Sequence, residues 1–276
     1  MFCLSWTTHV LWALGYPDQA LKRSQEALTL AQELSHPFSQ ALVFDYATIL
    51  HQFRRERQTV HERAAAAIAL CTEQGFTYYL AWGTFMQGWA LAEQGQAEEG
   101  IAQMRQSLAA LRATGAELRQ PYYLALLAET HGKGGQAEEG LAMLAEALAR
   151  THASKECWWQ VELYRLKGEL LRQKAEGKGQ KAKIEPEVEA YFRQAIDLAR
   201  RQRAKSLELR AVISLSRLWQ QQGKTEHAHA LLSEIYGWFT EGFETKDLQE
   251  AKALLNDLAV PPSSLPKKEH QRRRSK

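Results

Sequence analysis

The chain of 276 residues has no run of about 18 apolar residues, the minimum for a helix that crosses a membrane. Cysteine is scarce: Cys3, Cys71 and Cys157 are far apart and form no CxxC pair. This excludes a disulfide framework and a cysteine-built zinc site. The three read as buried or free thiols in a reducing compartment, which makes the expected location cytoplasmic. Breakers are also few, with 17 Gly and 7 Pro, below the usual share of about 12%. Three of those prolines, Pro261, Pro262 and Pro266, crowd one end. A body so poor in breakers and so rich in Ala, Leu, Glu, Gln and Arg predicts helix throughout. The apolar start, Met1 to Tyr16, lacks the basic lead of a secretory signal, since the first lysine is Lys22. It reads as a helix that begins abruptly, as in a chain cut from a longer one.

No sign of charge dominates. The formal net charge is +3, but residues 261–276 hold six Lys and Arg against one Glu. Residues 1–260 then carry 29 basic and 31 acidic side chains. The body is near neutral, the basicity belongs to a tail expected to be disordered, and a nucleic-acid partner is not indicated.

What the sequence does have is a repeat. Gly95-Gln96-Ala97-Glu98-Glu99-Gly100 returns 40 residues later as Gly135-Gln136-Ala137-Glu138-Glu139-Gly140. At the same displacement, small residues form the column Thr8, Thr48, Gly88, Ala128, Gly168. A second column runs Ala20, Val60, Gly100, Gly140, and a third Ala27, Ala67, Ser107, Ala147. Turn glycines recur at Gly15, Gly95, Gly135 and Gly223, with Arg55 as the exception. After Gly168 the phase slips by eight residues and resumes at Val188, Ala195, Ser216, Ala228 and Ile235. The slip coincides with a Lys- and Gly-rich stretch at 173–186, expected as a loop insertion with Pro186 opening the next helix.

Each unit reads as two helices striped at spacings of three and four. The predicted fold is all-α: a right-handed superhelical solenoid of about six helical hairpins with a C-terminal capping helix. The units lie near 1–37, 38–77, 78–119, 120–155, 156–205 and 206–236, so the array covers 1–236. Residues 237–260 form the cap, with Leu248, Ala251, Leu255 and Leu258 as its apolar stripe, and 261–276 the tail.

The columns resemble the tetratricopeptide repeat, read in the last unit as Ser216, Trp219, Gly223, Ala228, Leu232 and Ile235. Four strings carry a closer resemblance: Leu14 to Ala20, Glu33 to Phe38, Tyr164 to Leu171, and Tyr236 to Glu244 (YGWFTEGFE). Together they are similar to the C-terminal repeat region of large bacterial signalling proteins. Those proteins join a class III adenylate/guanylate cyclase domain to an NTPase domain and then to such repeats. The resemblance implies a scaffold or sensor segment without cyclase or NTPase residues, and a truncated or split reading frame.

Chemistry is hard to find. Gly223-Lys224-Thr225 imitates a phosphate loop, but Leu218 stands where that loop needs Gly and no strand precedes it. His227 and His229 are two apart, pointing in different directions on a helix. The pairs Glu98-Glu99 and Glu138-Glu139 repeat at helix starts, where carboxylates favour the helix dipole. No catalytic residue, cofactor or metal ligand is predicted, and the chain is read as a non-enzyme.

A surface remains. Stacked hairpins present a concave face lined by the first helix of each pair. Candidate residues there are Trp82, Phe85, Met86 and Trp89, then Tyr122 and Glu129. They continue with Glu162, Arg165, Glu169 and Arg172, and end with Arg210 and Arg217. Trp, Tyr and Arg are the usual hot-spot types, so the expected partner is a protein or peptide. The alternative, residue by residue, is that the aromatics are core and the arginines solvated. A second function class is an effector-sensing arm of an NTPase-type transcription regulator. The first helix also carries Phe2, Trp6 and Trp12 with no preceding cap. That end is expected to dock on an upstream cyclase/NTPase domain or to self-associate.

Overall fold

The computed structural model describes residues 1–177, 179 and 181–259; the predicted tail lies outside them. All regular structure among the described residues is α-helical, and no helix there is long and apolar enough to cross a membrane. Helices α1 (Phe2–Leu14) and α2 (Pro17–Leu34) form the first hairpin, α3 (Pro37–Phe53) and α4 (Arg57–Gln74) the second. The third pairs α5 (Thr77–Glu93) with α6 (Ala97–Ala113), and the fourth α7 (Gln120–Lys133) with α8 (Ala137–Ser154). The fifth pairs α9 (Gln160–Gly177) with α10 (Lys181–Gln202), and the sixth α11 (Lys205–Gln221) with α12 (Thr225–Tyr236). A strap of turns at 237–245 leads to α13 (Lys246–Ala259), which packs on α11 and α12.

The small-residue columns are the places where two helices of a hairpin nearly touch. A Cβ on Gly100 would sit 2.5 Å from the Gly88 carbonyl oxygen, and one on Gly140 2.8 Å from that of Ala128. The turn glycines take positive φ, +95° at Gly15 and +98° at Gly95, which only Gly adopts freely. Arg55 adopts the same left-handed turn at φ +61°, at a cost of about 1 kcal/mol.

One sequence expectation is corrected. The stretch 173–186 is helix for most of its length: α9 runs to Gly177 and α10 starts at Lys181. Pro186 lies inside α10 rather than opening it. Within the stretch Ala175 is buried and Ile184 packs against the core, so the helices continue on few apolar contacts.

The hairpins stack in order as the expected all-α solenoid, and that solenoid closes on itself. The first helices of the hairpins pack in sequence, α1 on α3, α3 on α5, and so on to α11, and α11 packs back on α1. The array is therefore a closed ring of six inner helices with the second helices outside. Its axis is filled by a stack of rings: Trp12 lies 4.5 Å from Phe53, Phe53 5.0 Å from Trp159, and Tyr122 5.2 Å from Trp159. The Tyr122 hydroxyl donates to Gln52 Oε1 at 2.9 Å across the ring. Of the first helix's aromatics, Trp12 is buried, whereas Phe2 and Trp6 are exposed.

Candidate functional site

The ring has two mouths. At the end where the inner helices finish, charged side chains converge around a cavity of about 120 Å³. Their placement follows from helix spacing. Glu162, Arg165, Glu169 and Arg172 advance by three and four along α9 and so share one face. Arg210 and Arg217 do the same on α11, and Glu129 and Lys133 on α7. Helix C-termini favour cations, which suits Lys133 at the end of α7 and Arg55 just after α3. The floor is apolar, with Trp89, Leu126 and Trp159 among its residues.

The charges are held in pairs. Arg165 Nε donates to Glu162 Oε1 at 2.8 Å, and Arg210 Nε to Asp247 Oδ2 at 2.8 Å. Arg210 also donates to the Phe53 carbonyl, and Arg217 to Glu250. Arg55 Nη1 reaches Glu250 Oε2 at 2.6 Å and Asp247 Oδ1 at 3.2 Å. Lys133 pairs with Glu93 and, at 3.2 Å, with Glu129. Burial alone would raise the Glu129 pKa, but Lys133 and Arg165 outweigh it and bring it to about 2. Burial likewise works against charge on Arg55, yet Asp247 and Glu250 raise its pKa. The most exposed members are all cations, Arg55, Lys133 and Arg217, at 41–47%. Glu162 beneath them is 3% exposed.

At the other mouth, where α7, α9 and α11 begin, a cavity of about 130 Å³ is lined by Trp6, Val10, Leu118, Trp158 and other apolar groups, Phe53 at the end of α3 among them. Its polar residues are committed inward. His9 Nε2–H donates to the Tyr46 carbonyl at 2.9 Å. Burial, reinforced by the Arg119 charge, lowers the His9 pKa to about 3. Arg119 Nη1 donates to Asp45 Oδ2 at 2.6 Å, both side chains 4% exposed.

The structure thus gathers Trp89, Glu129, Glu162, Arg165, Glu169, Arg210 and Arg217 at the charged mouth. Arg172 stands just beyond it, bonded to Glu169 and Glu176. Trp82, Phe85, Met86 and Tyr122 do not line an open groove: each is fully buried, because closure of the ring turns the concave face into core. Phe85, for example, packs 5.1 Å from Tyr123 of α7. Sequence reasoning missed Arg55, Glu93, Lys133, Asp247 and Glu250. For Arg55 a signal existed, since it is the one break in the turn-glycine column. Among the described residues, no group of three or more His, Cys, Asp or Glu is placed to hold a metal ion.

No family model matches the chain, and no curated protein matches it. Among solved structures it is similar to a Podosopora anserina kinesin light chain with nearly identical TPR-like repeats. That match has 16% identity and a TM-score of 0.46, covering 82% of this chain and 99% of the other. A single-substitution variant of the same protein gives 18% identity and a TM-score of 0.47, over 70% and 92% of the two chains. The TPR2AB domain of yeast Sti1, solved with pHSP90, gives 13% identity and a TM-score of 0.39, over 92% and 96%.

Proposed function

We propose that this chain is a non-enzymatic protein-interaction module of the cytoplasm whose charged mouth receives a segment of another protein. The observation that carries the reading is the ring of paired charges with Arg55, Lys133 and Arg217 outermost. Exposed ion pairs contribute about 0–1 kcal/mol each, so a partner carboxylate can replace an internal one at little cost. A segment carrying carboxylates is therefore the matching partner. Hosting such a segment suits the regulatory part of a cyclase/NTPase signalling protein, the context its repeat strings resemble.

The test replaces rim cations, not buried ones. Lys133→Gln/Arg172→Gln/Arg217→Gln is expected to lower capture of acidic segments from a peptide library at least tenfold, with unfolding nearly unchanged. Undiminished capture would sink the charged-mouth reading. The alternative, an effector-sensing arm of a transcription regulator, is separated by the upstream reading frame: a DNA-binding domain there favours it, and a cyclase–NTPase frame favours the first reading.

A further inference from the structure

Two of the strings that stand out in the sequence, Leu14 to Ala20 and Tyr236 to Glu244, meet each other at the closure of the ring. The Glu241 carboxylate accepts the backbone N–H groups of Asp18 and Gln19 at 2.9 and 3.0 Å and the Gln19 amide at 2.9 Å. It thereby caps α2, whose own N-cap residue Tyr16 supplies no side-chain bond. Asp18 returns the contact, its Oδ2 accepting the Gly242 N–H at 2.8 Å. Gly242 has φ +77°, and a Cβ there would overlap the Pro17 ring; a Cβ on Gly15 would overlap the Trp238 indole. Arg55, in its left-handed turn, reaches from α3 to Asp247 and Glu250 of α13. Ser206 Oγ donates to the Trp12 carbonyl at 2.5 Å between α11 and α1.

Polar contacts also cross the joints between successive hairpins, as where Arg54 donates to the Pro17 carbonyl and Arg112 pairs with Glu146. At the closure, buried Trp12, Leu209, Phe239 and Leu248 are joined by polar contacts that are partly exposed, with Asp18 at 57% and Arg55 at 41%. Such contacts are individually weak and are screened by salt. The closure is also the joint at which the first and last hairpins meet without a connecting turn, so its non-covalent contacts alone hold it shut. The Asp247 and Glu250 carboxylates that hold the closure are those that neutralise Arg55, Arg210 and Arg217 at the charged mouth.

We infer that the strap 237–245 and α13 form a latch that closes the ring, and that its opening governs access to the inner face. Opening withdraws Asp247 and Glu250 from the three arginines and uncovers Trp12 and Phe53. The gating half rests on the proposed binding role of the charged mouth; the latch itself does not.

Two full-length variants test it. Glu241→Lys/Gly242→Val breaks the strap contact. Pro17→Cys/Gly242→Cys, with Cys3 and Cys157 changed to Ser, locks it. A Cβ at 242 lies 3.3 Å from Pro17 Cβ, close to the roughly 3.5–4.5 Å that a disulfide spans. Hydrogen exchange without any partner is read first. Breaking the strap is expected to speed exchange at least tenfold in α1, α11 and α13 while α5–α8 keep their protection. Locking it is expected to slow those same helices, and 1 M salt should speed them in the native chain but not in the locked one. Unchanged exchange, or an even rise along the whole chain, would overturn the latch. Binding of a library of acidic twelve-residue peptides is read second, with at least tenfold tighter binding expected for the broken form than for the locked form. Equal binding to both overturns the gating and leaves the charged-mouth reading standing. Binding to neither, with exchange as expected, overturns that reading and the gating together and leaves the latch.

Discussion

The two mouths of the ring come from the same repeat and rely on opposite physics. One is aromatic: Trp12, Phe53, Tyr122 and Trp159 interlock behind it, and its Asp45–Arg119 ion pair is almost wholly buried. The other is a layer of ion pairs, several of them open to water. Aromatic burial stabilises strongly and cannot be rearranged without loss, whereas exposed pairs stabilise weakly and can change partners. The difference teaches where each task sits: fold stability at the aromatic end, exchangeable contacts at the charged end.

The contrast should break most sharply at the aromatic stack. Phe53→Ala is expected to cost about 3–5 kcal/mol in denaturant unfolding, the range for a large ring removed from a packed core. Asp45→Ala should cost about 3 kcal/mol or more by the same measurement, because Arg119 would stay buried without its partner. A loss below about 1 kcal/mol in either would mean that this mouth is not the stabilising one.

Acid should separate the two mouths by window. The folded pKa of His9 is about 3, below the 6.5 of the free side chain. The unfolded chain therefore binds that proton first, and stability falls as pH drops from about 6.5 toward 3, by about 2 kcal/mol at pH 5. His9→Gln should flatten this limb of a pH–stability curve. Glu129, with a folded pKa near 2 against an ordinary 4.5, contributes stability that is full above 4.5 and lost as pH falls toward 2. Glu129→Gln should thus alter the curve below pH 4.5 and leave its shape unchanged above it. The smallest effect is expected at the rim, where Arg217→Gln should cost under about 1 kcal/mol. A loss as large as that of Phe53→Ala would erase the distinction between the mouths.

Much of the charged mouth was legible in the sequence. Glu162, Arg165, Glu169 and Arg172 share a helix face by spacing alone, and inner-face placement follows once the hairpins are recognised. Arg55, Asp247 and Glu250 were not legible as members. They meet across about 190 residues of chain, and no local pattern records a contact of that separation. The apolar residues Trp82, Phe85 and Met86 suited a groove and a core equally well by type and spacing. Closure of the ring decided for core.

The sequence by itself determined the helices, their pairing into hairpins and the close contacts within each pair. Those depend on residues three, four or about 12 apart, such as Gly88 against Gly100. Tertiary structure alone decided that the superhelix meets itself. The rotation from one hairpin to the next is set by packing at each joint. Only the accumulated rotation over the five joints between successive hairpins brings Glu241 to the start of α2 and turns an open concave face into a filled ring.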